Sequence, residues 1–133
     1  MSQVGIVLVS HSAQLASAVA DLARGLAGGA PSVPVAPAGG TPDGGLGTSS
    51  ELVAAAARQV DRGAGVAVLA DLGSAVLTVK ALLAEGDELP EATRLVDAPF
   101  VEGAVAAVVT ASAGGDLDAV EAAAQEAYGY RKV

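Results

Sequence analysis

Four short apolar runs divide the chain, and each is followed by a polar loop and a segment with helical character. The runs at residues 4–9 and 65–70 are continuous and aliphatic, a pattern typical of strands buried on both faces of a parallel sheet. The run at residues 33–36 contains Pro34 and precedes Pro37. Because proline cannot donate to a β-ladder, we expect this strand at a sheet edge. The fourth predicted strand is shorter and covers residues 93–96.

The segments between these runs predict helices. The first, at residues 13–26, ends before Gly28 and Gly29 and has apolar side chains at spacings of three and four: Leu15, Val19, Leu22 and Leu26. Thr48 and Glu51 have the S/T-x-x-E spacing of a capping box, which predicts a helix start before residues 50–62. Further helices are predicted after Ser74 through residue 84, at residues 104–112, and at residues 117–128 behind a capping Asp116.

Strands that alternate with helices indicate an α/β fold, here a doubly wound, mainly parallel sheet of about four strands with helices on both faces. We interpret residues 1–133 as a single domain. With the second strand at an edge, the expected strand order is 2-1-3-4, and the winding reverses between strands one and three. Loops at the carboxyl ends of strands converge at such a switch point. We therefore expect His11, after strand one, to lie beside Asp71, after strand three.

Composition narrows the possible functions. The chain has no cysteine, which excludes structural disulfides, thiolate metal sites and thiol catalysis. Fifteen acidic residues against seven Lys and Arg give a formal net charge of −8, so we expect no nucleic-acid partner. No apolar run approaches the roughly 20 residues that span a bilayer, and we find no export signal before the first strand. We expect a cytoplasmic protein without a membrane partner.

His11 is the only histidine of the sequence and lies between a predicted buried strand and a helix start. Backbone amides and the helix dipole favour an anion at such a position, and a phosphorylated imidazole is an anion. A neutral imidazole can also attack phosphorus without a separate base. The simpler alternative is that His11 caps a helix or fills a turn. A metal site is not supported, because the sequence offers no second histidine, no cysteine and no paired carboxylate nearby.

Asp71 is the candidate partner of His11. A carboxylate that accepts the N–H of the second ring nitrogen fixes the imidazole tautomer and stabilises charge that develops on the ring. On position alone, Asp71 is equally suited to cap the following helix. Six neighbours offer hydroxyls or closely approaching amides for phosphoryl oxygens, although each is also an ordinary cap or turn residue: Ser12, Gly47, Thr48, Ser49, Gly73 and Ser74.

Two absences in the sequence also bear on function. None of the seven Lys and Arg falls in the loops predicted to surround His11, whereas a kinase-like or nucleotide-hydrolysing site needs a cation and metal-binding acids. The glycine-rich stretch at residues 39–47 lacks both the Gly-Lys-Ser/Thr ending of a P-loop and the G-x-G-x-x-G order of a dinucleotide site. This pattern fits better with a phosphoryl carrier whose partner proteins supply the cationic side chains.

Four stretches that cover most of the chain in order resemble one family. They are VSHS at residues 9–12, a glycine-rich segment at residues 39–49 that ends in GTS, DLGSA at residues 71–75 and DAPFVEGA at residues 97–104. The chain resembles the phosphocarrier subunits of phosphoenolpyruvate-dependent dihydroxyacetone kinases, which are related to the mannose-type IIA domains of the bacterial sugar phosphotransferase system. The last two stretches favour the dihydroxyacetone branch, because the sugar-transport branch usually has Gly-Gly-Ser-Pro after its acidic residue.

The resemblance implies a mannose-type IIA-like fold and a phosphotransferase component, the phosphocarrier subunit of phosphoenolpyruvate-glycerone phosphotransferase. It implies that HPr phosphorylates the tele nitrogen of His11, and that the group passes to ADP held with magnesium on a separate nucleotide-binding subunit, which supports dihydroxyacetone phosphorylation. No cofactor is then expected on this chain. Relatives are homodimers. Many also carry HPr-like and enzyme I-like domains that these 133 residues do not include, so we expect separate carriers. The Val76-Leu77-Thr78 segment stands where relatives often have Met-Asn.

Three alternatives remain open at this point. Within the same family, the chain could be a IIA subunit of a sugar permease, which would differ in the partner that takes the phosphoryl group. A receiver-like signalling domain would be phosphorylated on Asp71, but that class has an acidic pair after strand one, where this chain has Ser10 and His11. A regulatory module would sense phosphorylation without passing the group on.

Overall fold

The computed structural model describes residues 3–28 and 33–133. Within them the strands are β1 (Gly5–Ser10), β2 (Val35–Gly39), β3 (Val66–Ala70) and β4 (Thr93–Leu95). The helices are α1 (Ala13–Leu26), α2 (Ser50–Val60), α3 (Gly73–Glu85), α4 (Phe100–Ser112) and α5 (Leu117–Glu126), and a 3₁₀ turn follows at Ala127–Gly129. None of these helices combines the length and the apolar character that a bilayer crossing needs.

All four strands are parallel and lie in the order β2-β1-β3-β4, which confirms the predicted α/β fold and its 2-1-3-4 sheet. In the register of the sheet, Ser10 lies opposite Gly39 and Val9 lies opposite Ala70. The carboxyl ends of β1, β2 and β3 are therefore level. The loops that follow β1 and β3 begin side by side at the predicted switch point.

The core has two layers because successive strand residues face opposite sides of the sheet. Ile6 and Leu8 of β1 pack with α1, α4 and α5, whereas Val7 and Val9 pack with α2 and α3. Every residue of β1 is buried, as its continuous apolar run predicts. The helices that cover both faces hold the end of β1 rigidly, and His11 follows directly from it.

The buried face of α1 differs from the predicted one. Of the four predicted apolar positions only Val19 is buried; Leu15, Leu22 and Leu26 are 42%, 45% and 61% exposed. The packed face is instead formed mainly by alanines: Ala16, Ala20 and Ala23 beside Val19. At its N-terminus α1 comes very close to the sheet, where a Cβ on Gly39 would stand 2.4 Å from the carbonyl oxygen of Ser12. Gly29, the second of the two glycines predicted to end this helix, lies outside the described residues.

The predicted bounds of β2 and α4 are also corrected. Strand β2 begins at Val35 and includes Pro37, which an edge strand tolerates because one of its sides has no ladder partner. Helix α4 begins at Phe100 instead of residue 104, because Pro99 already occupies its N-cap. Gly103 lies inside this helix, where a Cβ would meet the Cβ of Ala98 at 2.7 Å. The glycine thus serves close packing of α4 against the preceding loop.

The predicted capping box at α2 is wrong by one residue. Ser49, not Thr48, is the N-cap, and its Oγ accepts a hydrogen bond from the Leu52 amide at 3.2 Å. The Thr48 hydroxyl instead makes a hydrogen bond with the hydroxyl of Thr78 on α3, with 2.9 Å between the two oxygens. This contact joins two residues that are thirty positions apart in the sequence, and it lies next to the candidate site.

Candidate active site

The end of β1 is tied to the end of β3 through one carboxylate. Ser10, which is fully buried, donates from its Oγ to Oδ2 of Asp71 at 2.8 Å. The backbone amide of His11 donates to the same oxygen at 3.1 Å, and the amide of Asp71 donates back to the Val9 carbonyl at 3.0 Å. These bonds follow from the sheet register, since level strand ends place the first residue of each loop beside the other. The predicted juxtaposition of His11 and Asp71 is present.

The ring of His11 is oriented by the second oxygen of that carboxylate. Nδ1 of His11 lies 2.9 Å from Oδ1 of Asp71. An ionised carboxylate can only accept, so Nδ1 is protonated and donates to it, and in the neutral ring Nε2 keeps its lone pair. The Ser74 hydroxyl makes a hydrogen bond with Nε2, and it is the donor in this tautomer. With a side chain that is 25% exposed, His11 presents Nε2 at the protein surface.

Asp71 is held in its ionised form by these contacts. Partial burial raises the pKa of its carboxyl, but hydrogen bonds from the His11 amide, the His11 ring, the Ser10 hydroxyl and the Leu72 amide outweigh burial and hold the pKa below its ordinary value. The alternative role of Asp71 as a helix cap is not what the structure shows: the N-cap of α3 is Leu72, and no side chain caps this helix. The carboxylate instead accepts hydrogen bonds from Ser10, His11 and the Leu72 amide.

The uncapped beginning of α3 lies next to Nε2. Gly73 and Ser74 are the first two residues of the helix, and Ser74 contacts the ring. The first amides of a helix have no intrahelical acceptor, and the helix dipole adds partial positive charge at this end. The arrangement can therefore stabilise an anion attached to Nε2. The structure brings together His11, Asp71, Gly73 and Ser74 of the predicted site.

The other predicted phosphoryl-binding residues already make hydrogen bonds within the protein. The Gly47 amide donates to the His11 carbonyl at 2.9 Å, so it supports the backbone of His11 and is not free in this arrangement. The Ser12 hydroxyl accepts from the Leu15 amide as the N-cap of α1, as Ser49 does for α2. Contact of these groups, or of Thr48, with a phosphoryl group stays a prediction.

Sequence reasoning missed Thr78. Its hydroxyl donates to the carbonyl of Ser74 at 3.1 Å and also contacts the Thr48 hydroxyl. One signal was available, since Thr78 lies four residues after Ser74 and so falls on the same side of a helix. The partner of Thr78 could not be read from the sequence, because Thr48 was expected to cap its own helix.

A cavity of about 410 Å³ opens on the other side of Asp71, between the ends of β3 and β4, and its wall includes Lys80, Asp97 and Tyr128. The Tyr128 hydroxyl donates to Oδ1 of Asp97 at 2.7 Å. That hydrogen bond, together with slight burial and the negative charge of Asp97, raises the pKa of Tyr128. Lys80 is the cation of this wall, and it lies two helical turns beyond the beginning of α3.

Within residues 3–28 and 33–133, the one cluster of potential metal ligands is Glu85, Asp87 and Glu88. All three are exposed, and exposed acidic groups of this kind are common without an ion. The cluster lies at the far end of α3, about 16 Å along the helix from Ser74 at 1.5 Å per residue. It is not part of the arrangement around His11.

Comparison with known proteins finds one family over most of the chain. Residues 5–121 match the EIIA-man family, described as the PTS system fructose IIA component. A protein of Pantoea ananatis named PEP-dependent dihydroxyacetone kinase, phosphoryl donor subunit DhaM, is 41% identical over 119 residues, which are 88% of this chain and 25% of that protein. This chain therefore spans about a quarter of the length of that relative.

A shorter relative matches over most of its length. The phosphoryl donor subunit DhaM of PEP-dependent dihydroxyacetone kinase 2 from Listeria innocua is 36% identical over 107 residues, covering 80% of this chain and 84% of the relative. Among solved structures, the crystal structure of a protein of unknown function, EF1359, superimposes with a TM-score of 0.85 at 31% identity and covers 98% of both chains. The similarity thus extends to both sequence and fold.

Proposed function

Since this chain belongs to the EIIA-man family, among the phosphoryl donor subunits of PEP-dependent dihydroxyacetone kinases, we propose that it is a phosphohistidine carrier. It takes a phosphoryl group from HPr onto Nε2 of His11 and gives it to ADP bound with magnesium on the nucleotide-binding subunit of the kinase. One observation supports the proposal: Nδ1 of the partly exposed His11 is hydrogen-bonded to Asp71, so Nε2 is the ring nitrogen available to act as the nucleophile.

The transfer requires no proton to enter or leave the ring. The Nε2 lone pair attacks the phosphorus of the HPr phosphohistidine; the new N–P bond forms while the bond in HPr breaks, and its electron pair stays on the HPr ring. Nδ1 keeps its proton, and the Asp71 carboxylate stabilises the positive charge that develops on the His11 ring. In the second step a terminal oxygen of the ADP β-phosphate attacks the phosphorus, and the electron pair returns to Nε2.

Helix α3 supplies the electrostatic part of the site. Phosphoryl transfer depends mainly on positioning and on stabilising charge at the equatorial oxygens. The beginning of α3 and the Ser74 hydroxyl lie at Nε2, whereas the segments 10–13, 40–49 and 71–74 around the ring contain no Lys or Arg. A weak anion site suits a carrier, because the group must leave again. The cations that complete the transition state then come from the partners.

Three exposed leucines lie close in sequence to residues of this site and form what we call the leucine rim: Leu46, Leu72 and Leu77, which are 83%, 63% and 67% exposed. Leu46 precedes Gly47, Leu72 follows Asp71, and Leu77 lies three residues after Ser74. Exposed apolar side chains grouped at a reactive residue are typical of a protein interaction surface. We propose that HPr and the ADP-binding subunit use this rim in turn, since both must reach the same nitrogen.

We further propose that the chain acts in the cytoplasm as a homodimer, as the family resemblance implies. The exposed residues Leu15, Leu22 and Leu26 of α1 provide apolar surface for self-association. The alternative of phosphorylation on Asp71 is disfavoured, because that side chain is only 10% exposed and both its oxygens already accept hydrogen bonds.

The proposal is tested by labelling with radioactive phosphoenolpyruvate in the presence of enzyme I and HPr. Wild-type protein should acquire acid-labile, base-stable label, and His11→Ala should acquire none. Gln14→Ala, an exposed change in the first turn of α1, is the matched control and should be labelled like wild type. Equal labelling of His11→Ala and wild type would remove His11 from the mechanism.

A second stage separates the kinase subunit from a sugar permease subunit. Labelled protein is mixed either with the ADP-binding subunit and magnesium or with the sugar-transport components that normally accept a group from mannose-type IIA domains. Rapid loss of label to ADP alone supports the proposed function. Transfer to the transport components alone would assign the chain to sugar uptake.

A further inference from the structure

Hydrogen bonds connect the three segments next to His11, which are the end of β1, the loop at residues 40–49 and the beginning of α3. On one side, Asp71 ties the loop after β1 to the beginning of α3. On the other side, the loop at residues 40–49 is bound to the backbone of β1 and His11, through the amides of Gly40 and Gly47 at 3.1 and 2.9 Å. The contact between Thr48 and Thr78 then joins this loop to α3. Nε2 and Ser74 lie between the two sides.

The loop needs such a tie because its backbone is intrinsically free. Gly40, Gly44 and Gly47 all have positive φ values, of 71°, 89° and 139°, and glycine-rich segments lose more conformational entropy on ordering than others do. Its backbone hydrogen bonds to Ser10 and His11 attach it to β1 and to the residue that follows β1. The Thr48–Thr78 hydrogen bond is the side-chain contact that connects the end of this loop to the helix that carries Ser74.

The donors in this contact can be assigned. The carbonyl of Ser74 can only accept, so the single hydroxyl proton of Thr78 is donated to it. Thr78 must then accept from the Thr48 hydroxyl, which donates across the 2.9 Å contact. Both threonines are half-buried. Removing the Thr78 oxygen therefore leaves the Thr48 hydroxyl without its acceptor in a partly closed environment.

We propose that Thr78 is a positioning residue for phosphoryl transfer: its hydroxyl holds Thr48 on α3 and so fixes the loop that supports His11 relative to Ser74 and the beginning of the helix. Thr78 acts through Thr48 and Ser74 and does not itself touch the reacting atoms. The inference rests on the proposed function. Displacement of about 1 Å in a reacting group can cost on the order of a hundredfold in rate, so a tie of this kind has a measurable effect.

The variants follow from the chemistry of the contact. Thr78→Val removes the hydroxyl and keeps the branched shape, and Thr78→Ser keeps the hydroxyl. Thr48→Val removes the same hydrogen bond from the loop side, and it replaces Thr78→Val in the experiment if Thr78→Val does not fold. We expect kcat for transfer from phospho-HPr to fall about tenfold in Thr78→Val, by analogy with the loss of one positioned hydrogen bond. KM should stay within about twofold of wild type, and Thr78→Ser should retain most of the rate.

The closing experiment measures these rates together with the rate from phosphoramidate, a small phosphoryl donor that needs no docking surface. The proposal expects the same fractional loss with both donors, and no additional loss in the double variant Thr48→Val, Thr78→Val, because the two changes break one tie. The proposal is overturned if Thr78→Val has the kcat of wild type, or if its loss is confined to KM or to the reaction with HPr. It is also overturned if the losses of the two single variants multiply in the double variant. Wild-type protein that accepts no label on His11 would instead overturn the proposed function.

Discussion

Replacing Asp71 by asparagine tests how far one carboxylate holds the site together. Its oxygens accept two hydrogen bonds each: Oδ2 accepts from the Ser10 hydroxyl at 2.8 Å and the His11 amide at 3.1 Å. Oδ1 accepts from Nδ1 of His11 at 2.9 Å and the Leu72 amide at 2.7 Å. Asparagine has one accepting oxygen and one donating nitrogen. Whichever way the amide is turned, two donors lose their acceptor.

The magnitude follows from those two lost bonds. A hydrogen bond to a charged group contributes about 1.5–3 kcal/mol, and a buried donor left unpaired costs a similar amount. Because the amide nitrogen can still donate to the Ser10 oxygen, we expect a net loss of about 3 kcal/mol in the free energy of unfolding. For a chain of this size that corresponds to a fall in Tm of roughly 10 °C.

The loss should also depend on pH in a defined direction. The folded pKa of Asp71 lies below its ordinary value, so above the unfolded pKa, near 3.9, the carboxylate contributes its full stabilisation. That contribution disappears as the pH falls through the lower, folded pKa, because the unfolded state then binds the proton more readily. The difference in stability between wild type and Asp71→Asn should therefore be constant near neutrality and shrink below about pH 4.

Urea unfolding at a series of pH values between neutrality and pH 3 measures this difference. Asp97→Asn is the matched control: Asp97 also follows a strand, but it accepts one side-chain hydrogen bond, from the exposed Tyr128. We expect that variant to change stability by no more than about 1 kcal/mol. An Asp71→Asn variant that is as stable as the control variant, or whose loss of stability is the same at pH 3 as at pH 7, would show that the ionised carboxylate does not hold the site together.

Three further expectations concern packing, capping and docking. Gly39→Ala would place a Cβ 2.4 Å from the backbone oxygen of Ser12 and should lower the unfolding free energy by about 3 kcal/mol; Gly25→Ala, with open space around it, should raise it by up to about 1 kcal/mol. Ser49→Ala removes the N-cap of α2 and should cost about 1 kcal/mol in the same urea assay; no change would show that the cap is redundant. Leu77→Ser should raise KM for phospho-HPr about fivefold through lost apolar contact, and an unchanged KM would contradict the docking role of the leucine rim.

The sheet and the pairing of His11 with Asp71 could be predicted from sequence because both depend on strong, local signals. Continuous aliphatic runs indicated the two central strands, and Pro34 and Pro37 indicated the edge. Once the strand order is known, the carboxyl ends of adjacent parallel strands must lie together. The contact between His11 and Asp71 follows from that topology without any knowledge of side-chain packing.

Features that depend on close approach were not predictable in the same way. The exposed leucines of α1 satisfy a helical apolar pattern, yet the packed face is formed by Val19 and the neighbouring alanines, because apolar spacing alone does not determine which face of a helix meets the sheet. Thr48 could cap its own helix by spacing, and Ser49 does so instead. The contact between Thr48 and Thr78 requires the tertiary arrangement, since nothing in either local sequence indicates the other.

The proposed mechanism is tested most directly by identifying the ring nitrogen of His11 that carries the phosphoryl group. Uniformly ¹⁵N-labelled protein, phosphorylated by phosphoenolpyruvate through enzyme I and HPr, is followed by long-range ¹H–¹⁵N correlation and by ¹⁵N–³¹P coupling at the ring of His11. We expect phosphorus bonded to Nε2 and a proton retained on Nδ1, where it is donated to Asp71. Phosphorus on Nδ1, or a phosphorylated protein in which the His11 ring is unmodified, would contradict it.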